Sequence, residues 1–156
     1  MFTYNHQLRV RYGDTDQMGY VYYANYGYYF EQARADAMRS LGIAYKEIEQ
    51  AGIILPVTRM NIKYIQPAFY DEVLTIETSV PEIPNRLLQF NYRVYNECGK
   101  LINKAETHML FVDAITKAPV SAPDILLARL KPYFETPVAD INPNHIIEPM
   151  LPGQLD

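Results

Sequence analysis

The stretch "YGDTDQMGYVYYANYGYYFEQAR", Tyr12 to Arg34, sets two aspartates in a turn directly ahead of a tyrosine-rich run. Its second half has the period of a helix. From Tyr26 the apolar side chains fall at Tyr26, Tyr29, Phe30, Ala33, Ala37, Met38 and Leu41. Those spacings line one face of a helix and predict one long amphipathic element. Asn25 is placed to cap it and Gly42 to end it. Glu31, Gln32, Arg34, Asp36 and Arg39 occupy the other face, where solvation is expected.

Outward from this helix the period changes. Tyr4 to Arg11 alternate weakly and read as a strand, and Lys46 to Gln50 read as a short second helix. After Gly52 the apolar residues recur every second position. Met60, Ile62 and Tyr64 alternate with Arg59, Asn61 and Lys63. Leu74, Ile76, Thr78 and Val80 share a face, as do Leu88, Phe90, Tyr92 and Val94. Beyond the "ECGK" turn, Ala105, Thr107, Met109 and Phe111 oppose Lys104, Glu106 and His108. One apolar face per strand predicts an antiparallel sheet covered on one side. The long helix is the obvious cover, so an α+β fold is expected, with one curved sheet around one central helix. A last short helix is expected over Pro123 to Leu130. We expect residues 1–134 to form one domain and 135–156 a tail. Pro137, Pro143, Pro149 and Pro152 favour an extended tail.

Composition narrows the function classes. The chain has 156 residues, 49% hydrophobic and 21% charged, with a net charge of −4. The balance is that of an ordinary globular domain, and the charge argues against a general nucleic-acid binder. Cys98 is the only cysteine, so an internal disulfide and a cysteine-based zinc site are both excluded. The N-terminus lacks the pattern of a signal peptide, and no run reaches the roughly 18 apolar residues of a membrane span. A cytoplasmic protein is expected. A sheet with so thin a helix layer leaves edges and apolar surface to bury against a second copy. A homodimer or homotetramer is therefore expected.

The acidic turn admits several chemistries. "DTDQMG" begins like a calcium loop, but Met18 stands at the fifth position, where an oxygen ligand is usual, and Asn25 at the twelfth, where a bidentate Glu is needed. Asp-rich turns also serve structure alone, because the side chain bonds its own backbone two residues on. The context here adds something. The turn feeds a helix whose first amides are unpaired and carry partial positive charge. A carboxylate, free amides and an aromatic wall together suit acyl transfer.

The same residues carry a resemblance. "YGDTDQMGYVYYANYGYYFEQAR" is similar to the signature of the hotdog-fold acyl-CoA thioesterases of the 4-hydroxybenzoyl-CoA thioesterase group. The likeness continues through "PVTRMNIKYIQPAFYDEVLTIET" and covers about Leu8 to Val112. It implies the hotdog fold, and an acyl-CoA substrate carrying a short-chain or aromatic acyl group. It implies that Asp16 is the catalytic carboxylate, attacking the thioester carbonyl or activating water. It places the carbonyl-polarising donor at the Tyr23 backbone amide, where some relatives carry His. Gly19 would let the loop approach the helix tip. Asp14 would bond the loop, and Tyr26 and Tyr29 would be core.

The coenzyme A phosphates call for cations. Relatives carry two or three before the fourth strand, whereas this chain has Arg86, with Arg59 and Lys63 as alternatives. The resemblance implies no metal and no cofactor beyond the coenzyme A of the substrate. An acyl-carrier protein is a further candidate partner, and carboxylate and amide can come from different subunits. Two rivals share the fold. One is a non-catalytic acyl-CoA or acyl-carrier binding module, which would not require Asp16. The other is a hotdog dehydratase, which needs a helix-borne His. Here His6, His108 and His145 all lie off the central helix. No Gly-x-Ser-x-Gly elbow occurs, which argues against a serine hydrolase.

Overall fold

The computed structural model describes residues 1–135. The strand β1 (Phe2–Arg9) leads through the acidic loop and a 3-10 turn (Tyr23–Asn25) into the long helix α1 (Tyr26–Ser40). Then follow α2 (Tyr45–Gln50), β2 (Ile53–Ile54), β3 (Val57–Tyr64), β4 (Val73–Val80), β5 (Leu87–Tyr95), β6 (Leu101–Leu110) and β7 (Val112–Asp113). Two short helices, α3 (Asp124–Leu130) and α4 (Pro132–Glu135), end the described chain. Five strands form one antiparallel sheet in the order β1-β4-β5-β6-β3, and β2 pairs with β7 in a separate ribbon. The α+β architecture of one long helix on one antiparallel sheet is thus present. The small ribbon is an addition that two-residue strands give no period to announce. The proline-rich tail from residue 136 onward lies outside the described residues.

The core is the helix stripe laid on the inner face of the sheet. Phe30, Ala33 and Ala37 are fully buried, and Tyr26, Tyr29 and Met38 nearly so. Phe30 stacks on Tyr92 of β5 with ring centroids 4.5 Å apart. Leu74, Ile76, Leu88, Phe90 and Val94 complete the face, at 0% exposure each. Burial of large side chains at this density is worth roughly 1.5–3 kcal/mol apiece, so the helix needs little intrinsic propensity to form.

Three local expectations are corrected. Arg34 was expected to be solvated but is 9% exposed. It sits at the flank of the stripe, where its charge lies beside the half-buried ring of Tyr45 and the buried ring of Tyr92. Its long stem lets a cation occupy that border. Asn25 occupies the position before α1, yet its side chain makes no cap; its backbone is already helical there (φ −69°, ψ −19°). The face of Met60 and Tyr64 on β3 is not covered. Those side chains are 37% and 48% exposed, because β3 is the outermost strand while α1 packs toward β1 and β4.

Candidate active site

The loop between β1 and α1 holds its two aspartates in opposite ways. Asp14 is 5% exposed. Its Oδ2 accepts hydrogen bonds from the Arg11 amide (2.9 Å) and the Tyr29 hydroxyl (2.9 Å), and its Oδ1 pairs with Arg11 Nη2 at 3.0 Å. Burial alone would raise its pKa. The Arg11 side chain and amide and the Tyr29 hydroxyl outweigh burial and hold it below the ordinary value. In turn, burial and the bond to Asp14 push the Tyr29 hydroxyl well up, so it stays a donor. The Asp14 carbonyl also accepts from the Tyr22 amide (2.8 Å) and Asn25 Nδ2 (2.9 Å). The polar groups of Asp14 are therefore all engaged, within the loop by Arg11 and Tyr22 and across to the helix start by Asn25 and Tyr29.

Asp16 sits at the tip of a tight turn. Its amide donates to the Tyr20 carbonyl (3.0 Å), and its carbonyl accepts from the Gly19 amide (2.9 Å). One carboxylate oxygen accepts the Met18 amide at 2.9 Å; the other accepts no hydrogen bond among the described residues. The turn requires Gly19 at φ +79°, a conformation that glycine adopts without strain. A Cβ there would meet nothing within 4 Å, so Gly19 serves the turn and not a close approach to the helix tip.

Asp16 and Tyr23 line the same cavity, of about 310 Å³, with Met18, Tyr20, Tyr26 and Tyr64 among its walls. Tyr23 opens the 3-10 turn, so its amide is one of those without an acceptor inside the turn. Tyr26 is both core and wall. Burial raises its hydroxyl pKa to about 12, so it presents a neutral face. The site is thus a carboxylate with a spare oxygen, an unpaired amide at a helix start and an aromatic, largely apolar slot. Such a set can attack or hydrate a carbonyl and hold the oxyanion that forms.

A family model described as the thioesterase-like superfamily matches residues 10–130. The chain belongs to this superfamily. It is a thioester hydrolase of the hotdog fold. It is 31% identical over 124 residues to the acyl-CoA thioester hydrolase YbgC of Escherichia coli, covering 80% of this chain and 92% of that one. The 1,4-dihydroxy-2-naphthoyl-CoA hydrolase of Thermosynechococcus vestitus is 29% identical over 128 residues, with 81% and 88% covered. The solved DHNA-CoA thioesterase of Staphylococcus aureus superposes with a TM-score of 0.74 at 32% identity, over 86% of this chain and 85% of that one.

The cations expected to serve the thioesterase lie elsewhere. Arg59 and Lys63 belong to the outer face of the sheet, because alternation along β3 turns them away from Tyr64 and the cavity. Arg59 Nε lies 3.8 Å from Glu106. Lys63 lines an open outer cleft of about 490 Å³ together with Arg93, Lys104 and Glu106. That cleft is larger than the inner slot but contains no part of the acidic loop. Arg86 is exposed in the turn before β5, off the cavity wall. Among the described residues, no His lines the slot, and no three His, Cys, Asp or Glu cluster as metal ligands. No helix among them is long and apolar enough to cross a membrane. Tyr64 is among the wall residues that the sequence did not single out. Strand alternation alone marks it as apolar, and only a hydroxyl at the end of the strand hints at more.

Proposed function

We propose that this thioesterase hydrolyses a short-chain or aromatic acyl-CoA, with Asp16 as nucleophile or general base and the Tyr23 amide as oxyanion donor. The observation that carries the reading is the meeting of a half-used carboxylate and an unpaired amide on one apolar wall. Water supplies oxygen to the acyl carbon, directly or after Asp16 has formed a mixed anhydride. The C–S bond breaks and the leaving thiolate takes a proton. The aromatic lining and the naphthoyl-CoA relatives support a flat acyl group. No metal or cofactor takes part in this scheme. The test is free-thiol release from a panel of acyl-CoAs with Asp16→Asn beside the parent. We expect kcat to fall by about 10²–10⁴-fold in the variant. Equal rates would remove Asp16 from the mechanism, and binding without turnover in the parent would favour a binding module.

The proposal extends to a cytoplasmic homo-oligomer, with an acyl-carrier protein as an alternative donor of the acyl group. The support for assembly is β3, an edge strand with Val57, Met60 and Tyr64 exposed at 44%, 37% and 48%. An uncovered apolar edge of this kind pairs readily with a second copy. Size-exclusion chromatography with light scattering should give a dimer or tetramer; a clean monomer would contradict it.

A further inference from the structure

Tyr64 is the last residue of β3, and its side chain crosses to the helix start. Its hydroxyl donates to the Tyr23 carbonyl at 3.0 Å. Its ring meets the Tyr26 ring edge-on at 5.6 Å and the Tyr23 ring at 6.4 Å. Tyr23 opens the 3-10 turn and Tyr26 opens α1, so one strand side chain grips both ends of the junction. Among the described residues, no other β3 side chain hydrogen-bonds to that junction.

The junction needs such a grip. Tyr22 and Tyr23 are 42% and 62% exposed, so core packing does not set the backbone there. On the N-terminal side the Tyr22 amide is tied to the Asp14 carbonyl. On the C-terminal side the ties are Asn25 Nδ2, again to the Asp14 carbonyl, and the Tyr64 hydroxyl. Partial burial, then the nearness of Tyr23, raises the Tyr64 pKa, which keeps that hydroxyl a donor. An oxyanion donor works only when it is aimed in advance, and small misplacements are costly in rate.

We infer that Tyr64 is a positioning residue for thioester hydrolysis, acting through the Tyr23 backbone that it holds and not on the reacting atoms. This rests on the reading of Asp16 and Tyr23 given above. It assigns to the edge strand a part in catalysis besides lining the slot.

The test is Tyr64→Phe, which deletes the hydroxyl and keeps the ring contacts, assayed beside the parent and Asp16→Asn. The expected result is a kcat about 10-fold lower with KM within about twofold. In a 15N–1H spectrum, the Tyr23 and Ala24 amides should shift or broaden while core amides such as Ile76 stay in place. A parent-like kcat in Tyr64→Phe, with Asp16→Asn inactive, overturns the positioning role alone. A change confined to KM assigns Tyr64 to substrate contact and also overturns it. Unmoved Tyr23 and Ala24 amides do the same. An active Asp16→Asn brings down the underlying catalytic reading instead.

Discussion

Asp14 and Asp16 are two residues apart in one loop and have nothing else in common. Asp14 is buried, its carboxylate filled by Arg11 and Tyr29 and its carbonyl by Tyr22 and Asn25. Asp16 is half-buried at a turn tip on the wall of the slot; one of its carboxylate oxygens accepts the Met18 amide, and the other accepts no hydrogen bond among the described residues. A satisfied carboxylate cannot accept a proton or attack a carbonyl without breaking what it holds. A half-satisfied one is oriented by its used oxygen and reactive through the other. In the proposed mechanism the structural acid supports the chemical one, since the Asp14 knot ties down the loop that carries Asp16.

The sharpest way to break this comparison is to exchange the effects of neutralising each acid. Asp16→Asn should carry the largest effect, the loss of about 10²–10⁴-fold in kcat already described, with a melting temperature like the parent's. A matching loss of stability would show that Asp16 also holds the fold. Asp14→Asn should do the reverse and cost stability first, about 1.5–3 kcal/mol for a buried, charge-assisted bond, measured by urea unfolding at pH 7. The pH dependence sharpens this. Folding holds the Asp14 pKa below its ordinary 3.8, so its contribution is complete well above that value. It is lost as pH falls through the lower folded-state pKa. The gap between parent and Asp14→Asn should therefore shrink in unfolding curves as the pH is taken progressively below 3.8. A gap that widens in acid would reverse the assignment. Tyr29→Phe should have the smallest effect, about 1 kcal/mol for one hydroxyl bond, with kcat little changed. A collapse of activity in that variant would mean that Tyr29 belongs to the reaction.

Much of the fold was legible because burial leaves a period behind. The stripe from Tyr26 to Leu41 and the alternations around Leu74, Phe90 and Thr107 follow from helix and strand geometry alone. The acidic turn was also legible, and so was the part of Asp14 in bonding the loop, whereas the part of Asp16 rests on the family pattern and is a proposal. What stayed hidden has a common cause. Arg34 is charged and sits at the border of its stripe, so periodicity assigned it to water, while Tyr45 of the next helix and Tyr92 of the distant β5 lie beside it. Gly19 was tied to a close approach that its open surroundings do not require.

The sequence by itself determined which side chains face the core, because period and polarity are local properties. It also set the acidic turn ahead of a helix start. Only the tertiary structure decided that β3 lies at the sheet edge, with its apolar face uncovered. The same packing carried the Tyr64 hydroxyl to the Tyr23 carbonyl. Strand order and side-chain reach are set by contacts between separate segments, 41 residues apart for Tyr64 and Tyr23, and no local pattern encodes such contacts.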